Sequence, residues 1–220
     1  MHTSRQDYIF SYMVDYINTP DESVWGIEDK AIANLLEKTE IVGKWLNLCA
    51  GDGRFNNLIL KKADGAVAVD IDENALQKLV RITPDILRKK LTTKTVNVVK
   101  LFPFEDDLFD GIFCVGTLHL FSESVFKSIL LEMERVLKSG GRIIIDFATD
   151  IKRTYPNGNL WIIENEQNYS MEEALPFLKE IFKEYKVNII ADKVVPHKTR
   201  LKDREYVFTS NFVLIDAIKK

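Results

Sequence analysis

The sequence of 220 residues has little cysteine, no long apolar run and no excess of charge of one sign. Its two cysteines, Cys49 and Cys114, cannot form a disulfide framework, and no four-ligand zinc spacing is present. No apolar run approaches the ~20 residues that span a bilayer. We therefore expect neither a disulfide-stabilised secreted domain nor a membrane protein, and we expect no metal site.

Charge is nearly balanced, because 30 Lys and Arg stand against 33 Asp and Glu for a formal net charge of −3. This balance argues against a dedicated polyanion binder. The first residues lead into a segment broken by Asp7 and Asp15 and lack the apolar region of a signal peptide. We therefore expect a cytoplasmic protein, and the 46% of hydrophobic residues predicts a sizeable core.

The chain contains no repeat, low-complexity tract or linker, which favours one domain over residues 1–220. From Lys44 onward, short β-rich runs alternate with helical ones. This alternation predicts an α/β fold with a doubly wound, mostly parallel seven-stranded sheet. We expect its strands at Lys44–Cys49, Gly65–Asp70, Val96–Leu101, Gly111–Val115, Gly141–Phe147, Val187–Val195 and Tyr206–Ile215.

Two helices have clear boundary signals. Glu123–Lys138 follows Ser122 as a candidate N-cap and precedes Gly140. Ser170 and Glu173 have the spacing of a capping box at the start of the second helix.

The last two predicted strands are separated by only about ten residues, which is too short for a parallel crossover. They predict a C-terminal antiparallel hairpin. We divide the domain into N-terminal helices (1–40), a ligand-binding core (41–147) and a substrate-side segment with the hairpin (148–220).

The most informative stretch is the loop from Cys49 to Gly53, which follows the first predicted strand. Its small residues let a ligand approach the backbone at the carboxyl end of a strand. A dinucleotide-binding loop would need glycine where Asn56 stands, and the Gly-Lys-Ser/Thr of a phosphate-binding loop is missing. Alone, the two glycines are equally typical of a tight turn.

The second strand ends in Asp70, 19 positions after Gly51. A carboxylate at this tip can accept both hydroxyls of a ribose, and Ile71 can lie against a purine. The alternative is that Asp70 or Asp72 caps the helix that starts near Glu73.

Four segments, in this order and spacing, resemble the class I S-adenosylmethionine-dependent methyltransferases: Leu46–Phe55, Val67–Asp72, Leu101–Asp110 and Arg135–Arg142. The resemblance covers roughly residues 40–147. It implies S-adenosylmethionine as cofactor, S-adenosylhomocysteine as product and an enzyme that transfers a methyl group. By the same resemblance, the cofactor contacts Asn47, Cys49, Ala50, Gly51, Gly53, Asp70, Ile71, Asn97, Val98, Cys114, Val115 and Gly116.

Three positions depart from the family pattern. Asn47 stands where the family usually has an acid, and Cys49 stands where it usually has glycine. The acid that usually reads the adenine amine falls at Val98. Its neighbour Asn97, or backbone groups of Val98 or Val99, can take over that contact.

His119 is the only histidine near the expected reactive edge, and we predict it as a catalytic base. The alternative is a histidine packed at the start of a helix. Cys49 and Cys114 end neighbouring strands, so both thiols are expected near the cofactor. The simpler interpretation is two buried small hydrophobes.

Acceptor specificity is expected in segments that flank the carboxyl edge of the sheet. The N-terminal tyrosines and Trp25 can close over an acceptor or simply pack on the domain. Thr149–Tyr169 predicts a lid or pocket wall, with a variable surface loop as the alternative. Val194–Arg204 is a basic loop that can attract an anionic acceptor or form a solvated hairpin tip.

A small-molecule acceptor is the favoured partner, because the chain has no appended nucleic-acid domain and no Asn/Asp-Pro-Pro-Tyr/Phe motif. An RNA or protein methyltransferase remains the first alternative, and Leu48–Gly51 resembles ribose-methylating RNA enzymes. A non-catalytic S-adenosylmethionine-binding protein is the next. A nicotinamide oxidoreductase is disfavoured by Asn56.

Overall fold

The computed structural model describes residues 14–19, 21–25, 30–163, 166–193, 197–201 and 204–220. The α-helices of these residues are α1 (Lys30–Lys38), α2 (Asn56–Leu60), α3 (Glu73–Ile82), α4 (Asp85–Arg88), α5 (Glu123–Val136) and α6 (Met171–Ile181). The strands are β1 (Lys44–Leu48), β2 (Gly65–Asp70), β3 (Leu91–Thr95), β4 (Phe109–Cys114), β5 (Leu137–Thr154), β6 (Lys186–Lys193), β7 (His197–Leu201) and β8 (Arg204–Ile218).

Seven strands form a continuous sheet in the order β3-β2-β1-β4-β5-β8-β6. The first five are parallel, and β8 lies antiparallel between β5 and β6. The predicted fold class is therefore confirmed, including the C-terminal antiparallel pair. An eighth strand, β7, pairs with β8 inside the predicted basic loop, so the prediction of a loop is wrong for His197–Leu201. Residues 194–196, 202 and 203 lie outside the described chain.

The sheet is covered on both faces because its central strands alternate two sets of apolar side chains. Leu46, Leu48 and Ile145 belong to a cluster completed by α5 and α6. Trp45 and Ile144 belong to a second cluster on the other face, completed by α1 and α2. This alternation follows from the two-residue period of a strand and explains the near-continuous apolar runs in the sequence.

The third strand was predicted in the wrong place. The structure has β3 at Leu91–Thr95, whereas Val96–Leu101 forms the loop that follows it. β3 is an edge strand with mostly exposed side chains, so its sequence is polar. Val96 and Val98 are apolar because they are buried after the strand has ended.

Helix boundaries follow the sequence signals in part. Ser170 caps α6 through a complete capping box with Glu173, as predicted. Ser122 is the N-cap residue of α5, but its side chain makes no capping hydrogen bond. α5 ends at Val136, two residues before the predicted end, because Leu137 already belongs to β5.

The N-terminal helices are confirmed only in part. Within residues 14–19, 21–25 and 30–40 the only helix is α1, and residues 14–25 form bends and turns where they are described. Residues 1–13, 20 and 26–29 lie outside the described chain. No helix of the described ranges is both long and apolar enough to cross a membrane.

Candidate cofactor and acceptor site

The glycine-rich loop turns sharply at the carboxyl end of β1. Three of its residues have positive φ: 54° at Cys49, 52° at Gly51 and 82° at Gly53. At Gly53 a Cβ atom would lie 2.6 Å from Cγ of Leu79, so glycine is required by packing as well as by φ. The amide of Ala50 donates to the carbonyl of Val69 and ties the loop to β2.

Asp70 holds this loop from the tip of β2. Its Oδ2 accepts the Gly51 amide at 2.8 Å, and its Oδ1 accepts the Asp72 amide at 3.0 Å. Burial raises the pKa of Asp70. Asp72, not Asp70, is the N-cap of α3, so the alternative that Asp70 caps this helix does not hold. A carboxylate offers about four lone-pair sites, which leaves two of them for a ligand's hydroxyls.

The turn after β4 is open at Gly116. Gly116 follows β4 with φ 73°, and a Cβ atom there would meet nothing within 4 Å. Its amide donates to Oδ1 of Asp146 at 2.6 Å, which fixes the turn after β4. Val115 and Ile71 are both partly exposed beside these turns. The structure thus brings most of the predicted cofactor residues to one edge of the sheet.

The three departures from the family pattern have structural roles. Asn47 is buried and donates to Oδ1 of Asn56 at 3.2 Å, which links β1 to α2. Val98 is buried in the core, so a cofactor contact from it must come from its backbone. Oδ1 of Asn97 accepts the Val99 amide at 3.1 Å within the same loop.

A buried ion pair that the sequence analysis missed lies under the glycine-rich loop. Lys78 Nζ of α3 lies 3.1 Å from Oδ2 of Asp52, and both side chains are fully buried. Asp52 also accepts hydrogen bonds from Ser23 Oγ (2.7 Å) and from the Val24 amide (2.8 Å). Lys78 Nζ donates to Thr19 Oγ1 at 2.9 Å. The pair therefore fastens the chain before α1 onto the loop.

We call this fastened segment the N-terminal strap (residues 14–19 and 21–25). Its Trp25 Nε1 donates to the hydroxyl of Tyr16 at 3.2 Å. A Cβ atom at Gly51 would lie 3.5 Å from Trp25 Nε1 and 3.9 Å from the Tyr16 hydroxyl. Burial, helped by the charge of Asp70, raises the pKa of Tyr16, so its hydroxyl stays protonated. The strap thus packs on the loop, which agrees with the packing alternative for Tyr16 and Trp25, and closure over an acceptor stays a prediction; Tyr8 and Tyr12 lie outside the described chain.

His119 lies in a short 3-10 turn after β4 and is 7% exposed. Its ring makes an edge contact with Phe147, with 6.3 Å between centroids. Nδ1 is buried and has no hydrogen-bond partner among the described residues. Burial, assisted by the nearby charge of Arg153, lowers the pKa of His119 to about 3. The imidazole is therefore neutral at physiological pH.

An aromatic wall continues the sheet beyond the cofactor edge. Trp161 packs edge-on against Tyr206 at 4.9 Å and stacks with Tyr155 at 6.3 Å. Arg153 lies 5.7 Å from the Trp161 ring and forms a bidentate ion pair with Glu166 at 2.6 and 2.7 Å. Part of Thr149–Tyr169 is therefore packed through Trp161, and its role as a lid or pocket wall for an acceptor stays a prediction.

A β-bulge positions this wall. The pairing of β5 with β8 shifts between Thr149 and Lys152, and Asp150 within the shift has φ 53°. Oδ2 of Asp150 accepts hydrogen bonds from Asn211 Nδ2 (2.7 Å) and the Met171 amide (3.1 Å). The bulge is thus fixed by β8 and by the start of α6.

Comparison with known proteins identifies the core of the chain. Residues 46–145 match the sequence family described as a methyltransferase domain. Residues 46–145 carry a methyltransferase domain. This match, together with the strand order, confirms the prediction of a class I S-adenosylmethionine-dependent methyltransferase and of its cofactor.

Solved structures agree with the fold of this methyltransferase. YcgJ from Bacillus subtilis aligns with a TM-score of 0.61 at 14% identity, over 86% of this chain and 97% of its own. DhpI in complex with SAH aligns with a TM-score of 0.60 at 18% identity, over 87% of this chain and 84% of its own. An S-adenosylmethionine-dependent methyltransferase from Mesorhizobium loti aligns with a TM-score of 0.58 at 15% identity, over 88% of this chain and 100% of its own. A comparison with curated protein sequences gives no match.

Proposed function

We propose that this methyltransferase transfers a methyl group from S-adenosylmethionine to a small-molecule acceptor at the edge of the sheet where the N-terminal strap packs on the aromatic wall. The observation that carries the proposal is the strap: Tyr16 is 6% exposed and lies with Trp25 over Gly51. Ligand sites for small molecules are concave and mostly apolar, whereas a polymer needs an open groove.

Cofactor binding is assigned to residues of the loop and of β2. Asp70 has lone pairs left for ribose hydroxyls, and the positive-φ residues let the loop backbone approach the cofactor. Bound S-adenosylmethionine supplies a methyl group on a sulfonium, which is a good leaving group. The remaining task of the protein is to align the acceptor and exclude water.

The chemistry of His119 follows from its neutral ring. An imidazole with a pKa near 3 is a weak proton acceptor, but its free Nδ1 can accept a hydrogen bond from an acceptor group. We propose that His119 orients the acceptor, which is a weaker role than the general base predicted from the sequence.

The test has two parts. Calorimetric titration with S-adenosylmethionine should give clear binding to the wild type and weaker binding to Asp70→Ala. Asp64→Ala is the matched control, because Asp64 lies at the opposite end of β2 and accepts the Gly43 amide. Unchanged affinity in Asp70→Ala would contradict the ribose assignment.

The second part separates the acceptor classes by measuring S-adenosylhomocysteine release. Mixtures of small amines, alcohols, carboxylates and thiols are compared with total RNA and with unstructured peptides. We expect turnover only with the small molecules. Methyl incorporation into RNA or peptide would contradict the proposal, and binding without turnover on any acceptor would favour a non-catalytic cofactor-binding protein. A cytoplasmic location and a single domain over residues 1–220 stay predictions.

A further inference from the structure

The two cysteines occupy adjacent positions at the cofactor edge. Asn47 of β1 pairs with Phe113 of β4, so Leu48 is level with Cys114 and Cys49 lies one residue beyond. Neighbouring strands lie about 4.8 Å apart and rise about 3.3 Å per residue. In a regular sheet, two residues offset by one position on neighbouring strands have Cα atoms roughly 5.8 Å apart, within the about 4.4–6.8 Å of disulfides.

The backbone of Cys49 then directs its side chain toward Cys114. In a regular strand, Cys49 would point to the face opposite Leu48. Its φ of 54° breaks this alternation, and Cys49 packs against the same apolar cluster as Leu48 and Cys114. Cys49 neighbours the Cys114 thiol, and this neighbour together with burial raises the pKa of Cys114. Both cysteines are reduced.

A left-handed φ costs free energy at a residue other than glycine, because Cβ lies too close to the following carbonyl oxygen. Glycine at position 49 would remove this cost, so a cysteine there keeps a strained backbone and places a thiol against Cys114. Cys49 is also the first residue of the loop whose Gly51 amide is held by Asp70. A covalent bond at Cys49 would therefore act directly on the cofactor loop.

We propose that Cys49 and Cys114 are a site of reversible disulfide formation, and that the disulfide closes the glycine-rich loop to S-adenosylmethionine. The effect of the disulfide on S-adenosylmethionine binding rests on the proposed function. The oxidant is a peroxide, and the reductant that restores the site is a thiol.

The reaction balances as follows. Cys49 is partly exposed whereas Cys114 is fully buried, so Cys49 reacts first. The Cys49 thiol gives up its proton and its sulfur attacks one peroxide oxygen; the O–O bond breaks, leaving a sulfenic acid, and the departing hydroxide takes that proton as one water. The sulfur of Cys114 then attacks the sulfur of Cys49, and hydroxide leaves and takes the Cys114 proton as a second water. Two thiols lose two electrons and two protons, and the peroxide is reduced to two waters.

The experiment uses the full chain and hydrogen peroxide. Intact mass after denaturing alkylation should show the loss of two hydrogens and of both alkylation sites. A cross-linked peptide pair should contain Cys49 and Cys114. Oxidised protein should bind S-adenosylmethionine at least about tenfold more weakly by calorimetry, and dithiothreitol should restore binding. By linkage, saturating S-adenosylmethionine should slow disulfide formation.

Cys49→Gly and Cys114→Ala are the controls, each compared with itself before and after peroxide. Neither variant can form the bond. The affinity of Cys49→Gly, which keeps only the buried Cys114, should not change on treatment, which separates the disulfide from oxidation of the four methionines. Cys114→Ala keeps Cys49, which peroxide still oxidises to a sulfenic acid, so it serves as the control for the cross-link only. Absence of the cross-link in the wild type overturns the site. A cross-link that leaves cofactor affinity unchanged overturns the closure of the loop. Failure of the reduced protein to bind S-adenosylmethionine overturns the proposed function, while the cross-link still tests the site.

Discussion

Replacing Lys78 by methionine should destabilise the protein strongly, because it leaves the Asp52 carboxylate buried without its counter-charge. Both side chains are fully buried and 3.1 Å apart. Removing one partner of a buried pair costs about 3–5 kcal/mol. This cost is a large share of the ~5–15 kcal/mol that stabilises a typical domain. Two hydrogen bonds, from Ser23 and Val24, remain to Asp52 and favour the lower end of the range.

Urea unfolding at fixed pH measures the effect as a change in the free energy of unfolding. Lys127→Met is the matched control, because Lys127 pairs with Glu123 on the surface of α5, where both side chains are about half exposed. Such exposed pairs are worth about 0–1 kcal/mol.

A double variant tests the reason for the loss. Asp52→Asn combined with Lys78→Met removes both charges and should regain most of the stability that Lys78→Met loses. A loss in Lys78→Met no larger than in Lys127→Met would refute the reasoning. Faster proteolytic cleavage of the N-terminal strap in Lys78→Met is a second expected result.

Three further predictions concern pH and backbone geometry. The pKa of Asp70 is raised above its ordinary value of 3.8, so its carboxylate should take up a proton at a higher pH than a free aspartate does. As the pH is lowered, the affinity for S-adenosylmethionine should therefore begin to fall before pH 3.8 is reached. Asp70→Asn should bind S-adenosylmethionine weakly and without this pH dependence, and calorimetry measures both. The pKa of His119 is about 3 in the folded protein against an ordinary value of 6.5, so between these two pH values only the unfolded chain binds the proton, and stability falls as the pH is lowered. In urea unfolding, the free energy of unfolding of His119→Gln should fall less steeply with acid than that of the wild type. Equal slopes of the two proteins would contradict the assignment. Gly53→Ala should lose about 1–3 kcal/mol more than Gly158→Ala, because both have positive φ but only Gly53 would meet Leu79; equal thermal shifts would contradict the clash.

The sequence was sufficient where a feature is local. The loop from Cys49 to Gly53 and the tip of β2 carry their signal in consecutive residues, so their place at one sheet edge could be predicted. The capping box of α6 is equally local. β3 was predicted in the wrong place because strands were inferred from apolar runs, and an exposed edge strand has none.

Contacts between distant segments could not be predicted in the same way. Lys78 lies one helical turn from Ala75, on the buried side of α3, and a lysine there is a signal for a buried partner. That signal does not say which acid is the partner, and Asp52 is selected only when the loop and α3 pack together. Glu166 likewise meets Arg153 only after the wall has folded back on β5.

The bulge at Asp150 decides which face of the sheet each later residue of β5 occupies. Phe147 belongs to the cluster under α5 and α6, but Arg153, six residues later, pairs with Phe208. Phe208 lies on the same side of β8 as Phe212, which packs in the opposite cluster. Deleting one residue in the bulge would therefore exchange the two sides of the wall and turn Arg153 away from Trp161. A change of length between Thr149 and Lys152 would reorient the wall that we propose lies beside the acceptor, without altering any residue of the cofactor half.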